Sequence, residues 1–288
     1  MTAAADFYFS VPAQHTTIGP TRYTWRRFGK GPALVLLHGF PLSGFTWRGV
    51  LPELAQRYTC YVPDVPGLGE THWSDATDFS WDGQARGLKA LVDSLGLQRY
   101  DIIGHDSGGT HARTLALLDP DRVGQLTLIG TEIPHHRPPW IPLYQALMHL
   151  PGTLLSFGLL LRSRLFLRSP MGFGGCFHDR SLIDGEFRAH FADPLARDPR
   201  RLQGLRHYLL NLKWDGVDAL AQQHARLTMP VRLVWGADDG FFPVERAREM
   251  VRQFPRATLT EIPRAKLFVH EERPDEVVAA LAELRQAA

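Results

Sequence analysis

The chain is poor in cysteine: Cys60 and Cys176 are the only two in 288 residues. Two thiols build no disulfide framework, and neither stands in a C-x-x-C metal-ligand spacing. Charge of one sign is also lacking. Lys+Arg number 32 against 30 Asp+Glu, for a net charge of +2. Without a long basic block there is no footprint for nucleic acid. Long hydrophobic runs are missing too. The most apolar stretch, residues 150–161, is broken by Pro151, Gly152 and Gly158, and a bilayer span takes about 20 residues. The first residues, Met1-Thr2-Ala3-Ala4-Ala5-Asp6, carry no basic segment followed by an apolar one. They read as the start of a cytoplasmic protein without a signal peptide. Internal repeats and low-complexity segments are absent. What remains is ordinary globular composition, 44% hydrophobic and 22% charged, with length for a large core and an inserted subdomain.

Strand-like runs alternate with helical patterns, which predicts an α/β protein with a mostly parallel sheet and helices on both faces. Ala33 to Leu37 reads as a buried strand ending in His38-Gly39-Phe40-Pro41. Phe45 to Arg57 has helical spacing. Thr59 to Val62 is the next strand, followed by the turn-rich Pro63-Asp64-Val65-Pro66-Gly67-Leu68-Gly69. Trp81 to Leu95 is amphipathic. Tyr100 to Ile103 and Gln125 to Ile129 are strands with a helix between them that ends near Leu118. The pattern changes after Pro134. To about Ala225 it is helical or irregular, roughly ninety residues, too long for a plain loop. Strands return at Val231 to Trp235 and Thr258 to Ile262, with a helix between them from Pro243 to Gln253 and a last one from Pro274. This predicts a core domain of residues 1–133 and 226–288 interrupted by a helical cap of residues 134–225. A cap in that position covers the carboxyl ends of the strands, where open α/β sheets bind ligands.

The most informative seven residues are Ile103-Gly104-His105-Asp106-Ser107-Gly108-Gly109. Small-x-acid-x-small-small between a strand and a helix is the spacing of a nucleophile elbow, a turn so sharp that only glycine-sized neighbours fit. The central residue is Asp106, since centring on Ser107 would put His105 where a small residue is needed. A carboxylate presented there can attack carbon and form an ester. The blander reading of Asp106 is a helix cap.

Together these pieces resemble the α/β-hydrolase fold over essentially the whole chain. Within it they resemble the branch of epoxide hydrolases and haloalkane or haloacetate dehalogenases. His38-Gly39-Phe40-Pro41 matches the branch's oxyanion loop, and Gly104 to Gly109 its elbow. Gly236-Ala237-Asp238-Asp239 with Pro243 matches the strand end that often carries the acid, and Phe268 to Pro274 the stretch after the catalytic His. The resemblance implies two steps. The aspartate attacks carbon and releases a halide or opens an epoxide. A His then activates water to hydrolyse the ester, with backbone N–H groups, here of Phe40 and Ser107, holding the oxyanion.

The departures are specific. Alignment on the last motif puts Leu267 where the branch has its base His, and Lys266 where it has Gly. Leucine cannot take a proton from water. Ser107 replaces the Trp or Arg that dehalogenases carry after the nucleophile. Tyr208 falls where one ring-opening cap tyrosine of epoxide hydrolases would stand, and Tyr144 is a second candidate. Asp239 is the first choice for the acid and Glu132 the alternative. His270 is the nearest surviving histidine to the missing base; His135, His136 and Lys266 are further surrogates. His38, Tyr144, Tyr208 and Leu267 are the substrate-side residues, although His38 and His105 are usually framework in this fold.

The expectation is an Asp106-nucleophile hydrolase of epoxide-hydrolase type. It acts on a small apolar molecule, with its hydrolytic step impaired or served by a surrogate base. A dehalogenase is one alternative. A non-hydrolytic isomerase, lyase or ligand-binding protein is another, because one scaffold hosts many functions. No cofactor, metal, nucleic-acid partner or membrane span is implied, and a homodimer is left open.

Overall fold

The computed structural model describes residues 2–282. Met1 and residues 283–288, assigned to the core from sequence, lie outside the described residues. An eight-stranded sheet has the order β1-β2-β4-β3-β5-β6-β7-β8. The strands are β1 (Gln14–Ile18), β2 (Thr21–Phe28), β3 (Ala33–Leu37), β4 (Thr59–Pro63), β5 (Tyr100–His105), β6 (Val123–Ile129), β7 (Val231–Gly236) and β8 (Ala257–Ile262). From β4 to β8 every pairing is parallel; β1 and β2 pair antiparallel at one edge.

The strands expected from apolar runs form, because runs such as Leu34 to Leu37 and Val231 to Gly236 are buried along their whole length. The β1–β2 hairpin escaped the sequence reading. Its strand β1 is polar, Gln-His-Thr-Thr-Ile, and mostly solvated, so no hydrophobic alternation marks it. The turn is carried by Gly19 at φ +52°. The expected helix over Phe45 to Arg57 is instead a 3₁₀ turn at Gly44–Gly49 and a short helix at Leu51–Leu54. Pro52 has no N–H to continue a helix and stands in the first turn of a new one.

The helices that matter for the site are α1 (Trp81–Ser94) and α2 (Ser107–Leu118). Between β6 and β7 lie α3 (Ile141–Leu147), α4 (Thr153–Leu160), α5 (Arg164–Leu167), α6 (Pro199–Asn211) and α7 (Trp214–Gln223), with shorter turns and no strand. After β7 come α8 (Val244–Met250), α9 (Val269–Glu272) and α10 (Pro274–Ala282).

The β5–α2 junction is the tightest point of the fold. Asp106 has φ 50° and ψ −127°, a conformation that costs a non-glycine residue about 1–3 kcal/mol. Small neighbours make it reachable. A Cβ on Gly104 would collide with the carbonyl of Gly108, one on Gly108 with the carbonyls of Leu37 and His38, and one on Gly109 with Thr131. The strained unit is tied down by its own backbone. Asp106 N–H donates to the Ile129 and Gly130 carbonyls at 3.1 and 3.0 Å. Thr131 Oγ1 donates to the Asp106 carbonyl at 2.7 Å. The Gly104→Ala variant is therefore expected to lose about 2–3 kcal/mol of stability, read as a lower urea midpoint at unchanged slope. A midpoint equal to that of the unsubstituted protein would mean the elbow has slack.

Candidate active site

Asp106 is 6% exposed and opens onto a cavity with about 80 Å³ of room for the centre of a water-sized sphere. The cavity lies between the β5–α2 junction and the β6–β7 helices. Its wall is aromatic and aliphatic, with Phe40, Trp140, Phe157, Phe173 and Phe268 among its members. Among the described residues, Asp106 and Glu132 are the only acidic or basic side chains on that wall.

Asp106 meets the oxyanion loop directly. Phe40 N–H donates to Asp106 Oδ2 at 2.8 Å, and the Ser107 N–H also hydrogen-bonds the carboxylate. Both stabilise the anion, yet burial dominates and the Glu132 charge adds to it. The Asp106 carboxyl is held well above the usual carboxylate range. Both expected oxyanion donors thus converge on Asp106.

Glu132 follows β6 and reaches the cavity wall. Its Oε2 accepts from Thr110 Oγ1 at 2.8 Å and lies 3.1 Å from Thr131 Oγ1, whose proton is given to the Asp106 carbonyl. Burial raises its pKa, and the Arg113 guanidinium opposes that rise. Arg113 is fully buried under the elbow. It donates to Thr110 Oγ1 and to the Glu132 carbonyl, each at 2.8 Å. Burial lowers its pKa to about 10, so it stays cationic at neutral pH and offsets part of the negative charge above it. The sequence reading missed Arg113. Its signal was present: a lone arginine in the otherwise small and apolar Gly-Gly-Thr-His-Ala-Arg-Thr-Leu-Ala helix, seven positions after Asp106. Cys176 on the wall was also missed, and no pattern around it marks it.

Asp239 stands behind this wall. Its Oδ1 accepts from the N–H groups of Phe241 and Phe242 at 2.7 and 3.1 Å. Its Oδ2 is buried with no hydrogen-bond partner. The side chain beside it is Leu267: a Cβ built on Gly130 would lie 3.3 Å from Leu267 Cδ1 and 3.8 Å from Asp239 Oδ2. Burial pushes the Asp239 carboxyl up to about 7. A buried carboxyl oxygen without a partner is a departure from the usual pairing of buried polar groups.

The remaining expected residues separate into those at the cavity and those away from it. Leu267 and Tyr144 line it; the Tyr144 hydroxyl donates to the Met171 carbonyl. Tyr208 does not line it. Its hydroxyl donates to Ser107 Oγ at 2.8 Å and lies 2.8 Å from His111 Nε2, while its ring stacks on Phe40 at 5.6 Å. Tyr208 therefore braces the oxyanion loop and the residue after Asp106 from behind.

His270 does not line the cavity either. Thr46 Oγ1 donates to Glu271, so His270 Nε2, 2.7 Å from that hydroxyl, is the donor in its own contact. Burial first, then the adjoining His105, lowers the His270 pKa well below 6.5. His38 is likewise enclosed, its Nε2 accepting from Val65 N–H at 3.0 Å. His105 Nε2 donates to the Leu267 carbonyl at 3.1 Å. His135 is exposed, His136 bonds the Phe241 carbonyl, and Lys266 is half-buried; none of the three is on the wall. Among the described residues no group of three or more His, Cys, Asp or Glu could hold a metal ion, and no helix is long and apolar enough to cross a membrane.

A strand–elbow–helix with an acid at its apex, on a sheet of this order, defines a class of protein. The chain belongs to the alpha/beta hydrolase fold family, whose profile matches residues 32–274. It is related to the haloalkane dehalogenase 2 of Mycobacterium tuberculosis (strain ATCC 25618 / H37Rv), with 28% identity over 261 residues, 88% of each chain. The soluble epoxide hydrolase of Corynebacterium sp. (strain C12) is 28% identical over 264 residues, covering 87% of this chain and 88% of that one. Among solved structures, an alpha/beta hydrolase fold protein from Burkholderia ambifaria superposes with a TM-score of 0.81 at 25% identity, over 94% of this chain and 97% of that one. The ligand-free epoxide hydrolase CorEH gives 0.78 at 24%, over 95% and 98%.

The orphaned Asp239 oxygen has a consequence for stability. A carboxyl raised from the unfolded value near 4 to about 7 holds its proton in the folded state and gives it up on unfolding. Its contribution is full below pH 4 and is lost as pH rises through 7. Asp239→Asn removes this ionisation and keeps the Oδ1 acceptor. The variant is expected to raise the melting temperature at pH 8 by about 5 °C, with a smaller gain at pH 5. Equal shifts at both pH values would show that Asp239 does not ionise in the folded protein.

Proposed function

We propose that this protein is an Asp-nucleophile hydrolase of epoxide-hydrolase type, acting on a small apolar electrophile beneath a cap formed by residues 134–225. One observation carries the reading: a carboxylate with a backbone N–H on Oδ2 faces a cavity whose wall is aromatic and aliphatic apart from Glu132 and a few weakly polar groups. With Oδ2 so held, Oδ1 attacks the substrate carbon. A carbon–oxygen or carbon–halogen bond breaks, and the leaving oxygen or halide departs with the electron pair. Water then attacks the ester carbonyl carbon. The Phe40 and Ser107 N–H groups take the oxyanion, and collapse releases the alcohol and regenerates Asp106.

The second step needs a proton acceptor, and Leu267 is none. Among the described residues, Glu132 is the one other carboxylate open to the cavity, which makes it the surrogate base. Its raised pKa and its contacts with two hydroxyls make it a slower partner than a free imidazole. The ester is therefore expected to accumulate.

Incubation with a panel of epoxides and haloalkanes should give a mass increase on the intact protein that is absent in Asp106→Asn. Adduct formation should quicken as pH rises, because the raised carboxyl must lose its proton before it can attack. No adduct and no product on any member of the panel would sink the reading.

Leu267→His sets an imidazole beside the partnerless Asp239 oxygen. It is expected to speed ester breakdown by about 100-fold, while Glu132→Gln in the unsubstituted background slows it further. A Glu132→Gln variant that turns over normally would remove Glu132 from the chemistry.

The second reading, a dehalogenase, is favoured by Tyr208. Its hydroxyl is occupied by Ser107 and His111 and that of Tyr144 by the Met171 carbonyl, so both candidate ring-opening tyrosines are engaged. Halide release without diol formation on the same panel would select it.

A further inference from the structure

The helices over the cavity have an outer face that nothing among the described residues covers. Eight of the ten exposed large hydrophobic side chains among the described residues fall within residues 143–182. Leu155 and Leu159, four apart on α4, are 72% and 56% exposed, and Leu165 on α5 is 84% exposed. The opposite side of α4 is occupied: Phe157 and Leu161 point to the cavity wall. A helix apolar all round belongs in a core or against a lipid phase, and α4 has a core on one side only.

Charge is equally one-sided. From Ile133 to His178 the chain has no Asp or Glu and carries Arg137, Arg162, Arg164 and Arg168. Arg164 and Arg168 share a single carboxylate, Asp184. With Arg180 they line an open groove beside Leu165. Exposed leucines ringed by arginines in excess over their carboxylate partners match a surface of acyl chains beneath anionic headgroups. The same helices supply part of the cavity wall. Tyr144, Phe157 and Phe166 pack edge to face across α3, α4 and α5 at 5.8 and 6.2 Å, and all three line the cavity.

We propose that the outer face of α3–α5 docks on an anionic lipid surface, with Leu155, Leu159 and Leu165 entering the acyl boundary and the arginines engaging lipid phosphates. An apolar substrate dissolved in that lipid then reaches the cavity without crossing water. Delivery of substrate rests on the reading of the site given above; docking does not. A second copy of the chain fits the face less well, because a self-complementary contact would set the arginines of one protomer near those of the other.

The test is co-sedimentation of the whole protein, without substrate, with vesicles of phosphatidylcholine alone or mixed with phosphatidylglycerol. Binding to the mixed vesicles is expected, weakened by salt. The paired variant L155E/L159E should lose about tenfold or more in binding, and R162Q about fivefold, each at an unchanged melting temperature. No binding to mixed vesicles, or equal binding to both kinds, would overturn the proposal. So would a dimer in sedimentation velocity that L155E/L159E dissociates, since that assigns the face to a second copy. Because substrate is absent, none of these outcomes depends on whether Asp106 forms an ester.

Discussion

The backbone of Asp106 is the constraint on which the rest depends. At φ 50° and ψ −127° it is held where no acid residue would rest in an unfolded chain. Holding it there requires glycines at 104, 108 and 109 and carbonyls of β6 to receive its N–H. The same turn brings the Ser107 N–H and the Phe40 N–H onto its carboxylate. Strain, the two N–H contacts and presentation of the side chain are one structural fact. Strain of this kind persists only where the surroundings over-determine it, and here four chain segments meet on one residue.

Around that point the electrostatics disfavour an anion. Asp106 and Glu132 share a largely apolar-walled cavity, and each is driven toward its neutral form by burial. Arg113, enclosed beneath them, supplies the compensating positive charge through Thr110 and Thr131 rather than by direct pairing. An arrangement of buried carboxylates offset by one buried arginine titrates as a unit. Asp239 is separate from it. Its Oδ2 is buried without a hydrogen-bond partner.

The helical segment between β6 and β7 contributes little polar chemistry and most of the apolar wall. Both its cavity-facing side and the exposed side of α4 are hydrophobic, with Leu155 and Leu159 facing outward. Tyr208, the polar group on this segment nearest the elbow, is turned toward Ser107 and His111. There it stiffens the scaffold instead of facing a ligand.

Much of this was legible in the chain. Runs such as Ala33–Leu37 and Val231–Trp235 are too apolar for an edge and too short for a buried helix, so their strand character is local. The Gly-x-Asp-x-Gly-Gly spacing encodes the elbow because steric exclusion is itself local, set by residues two or three apart. That Leu267 stands where the resemblance expects an imidazole was equally plain, as residue identity needs no coordinates. The polar β1–β2 hairpin was not legible, since an edge strand carries no hydrophobic alternation. Tertiary structure alone decided which carboxylate reaches the cavity, that Tyr208 is engaged, that His270 is a donor to Thr46, and that α4 is bare on one side. Each depends on side-chain directions, and two of them on partners a hundred or more positions away, Ser107 for Tyr208 and Thr46 for His270. Sequence spacing fixes how the chain turns, whereas burial and hydrogen bonding between distant segments fix what each turned-out group can do.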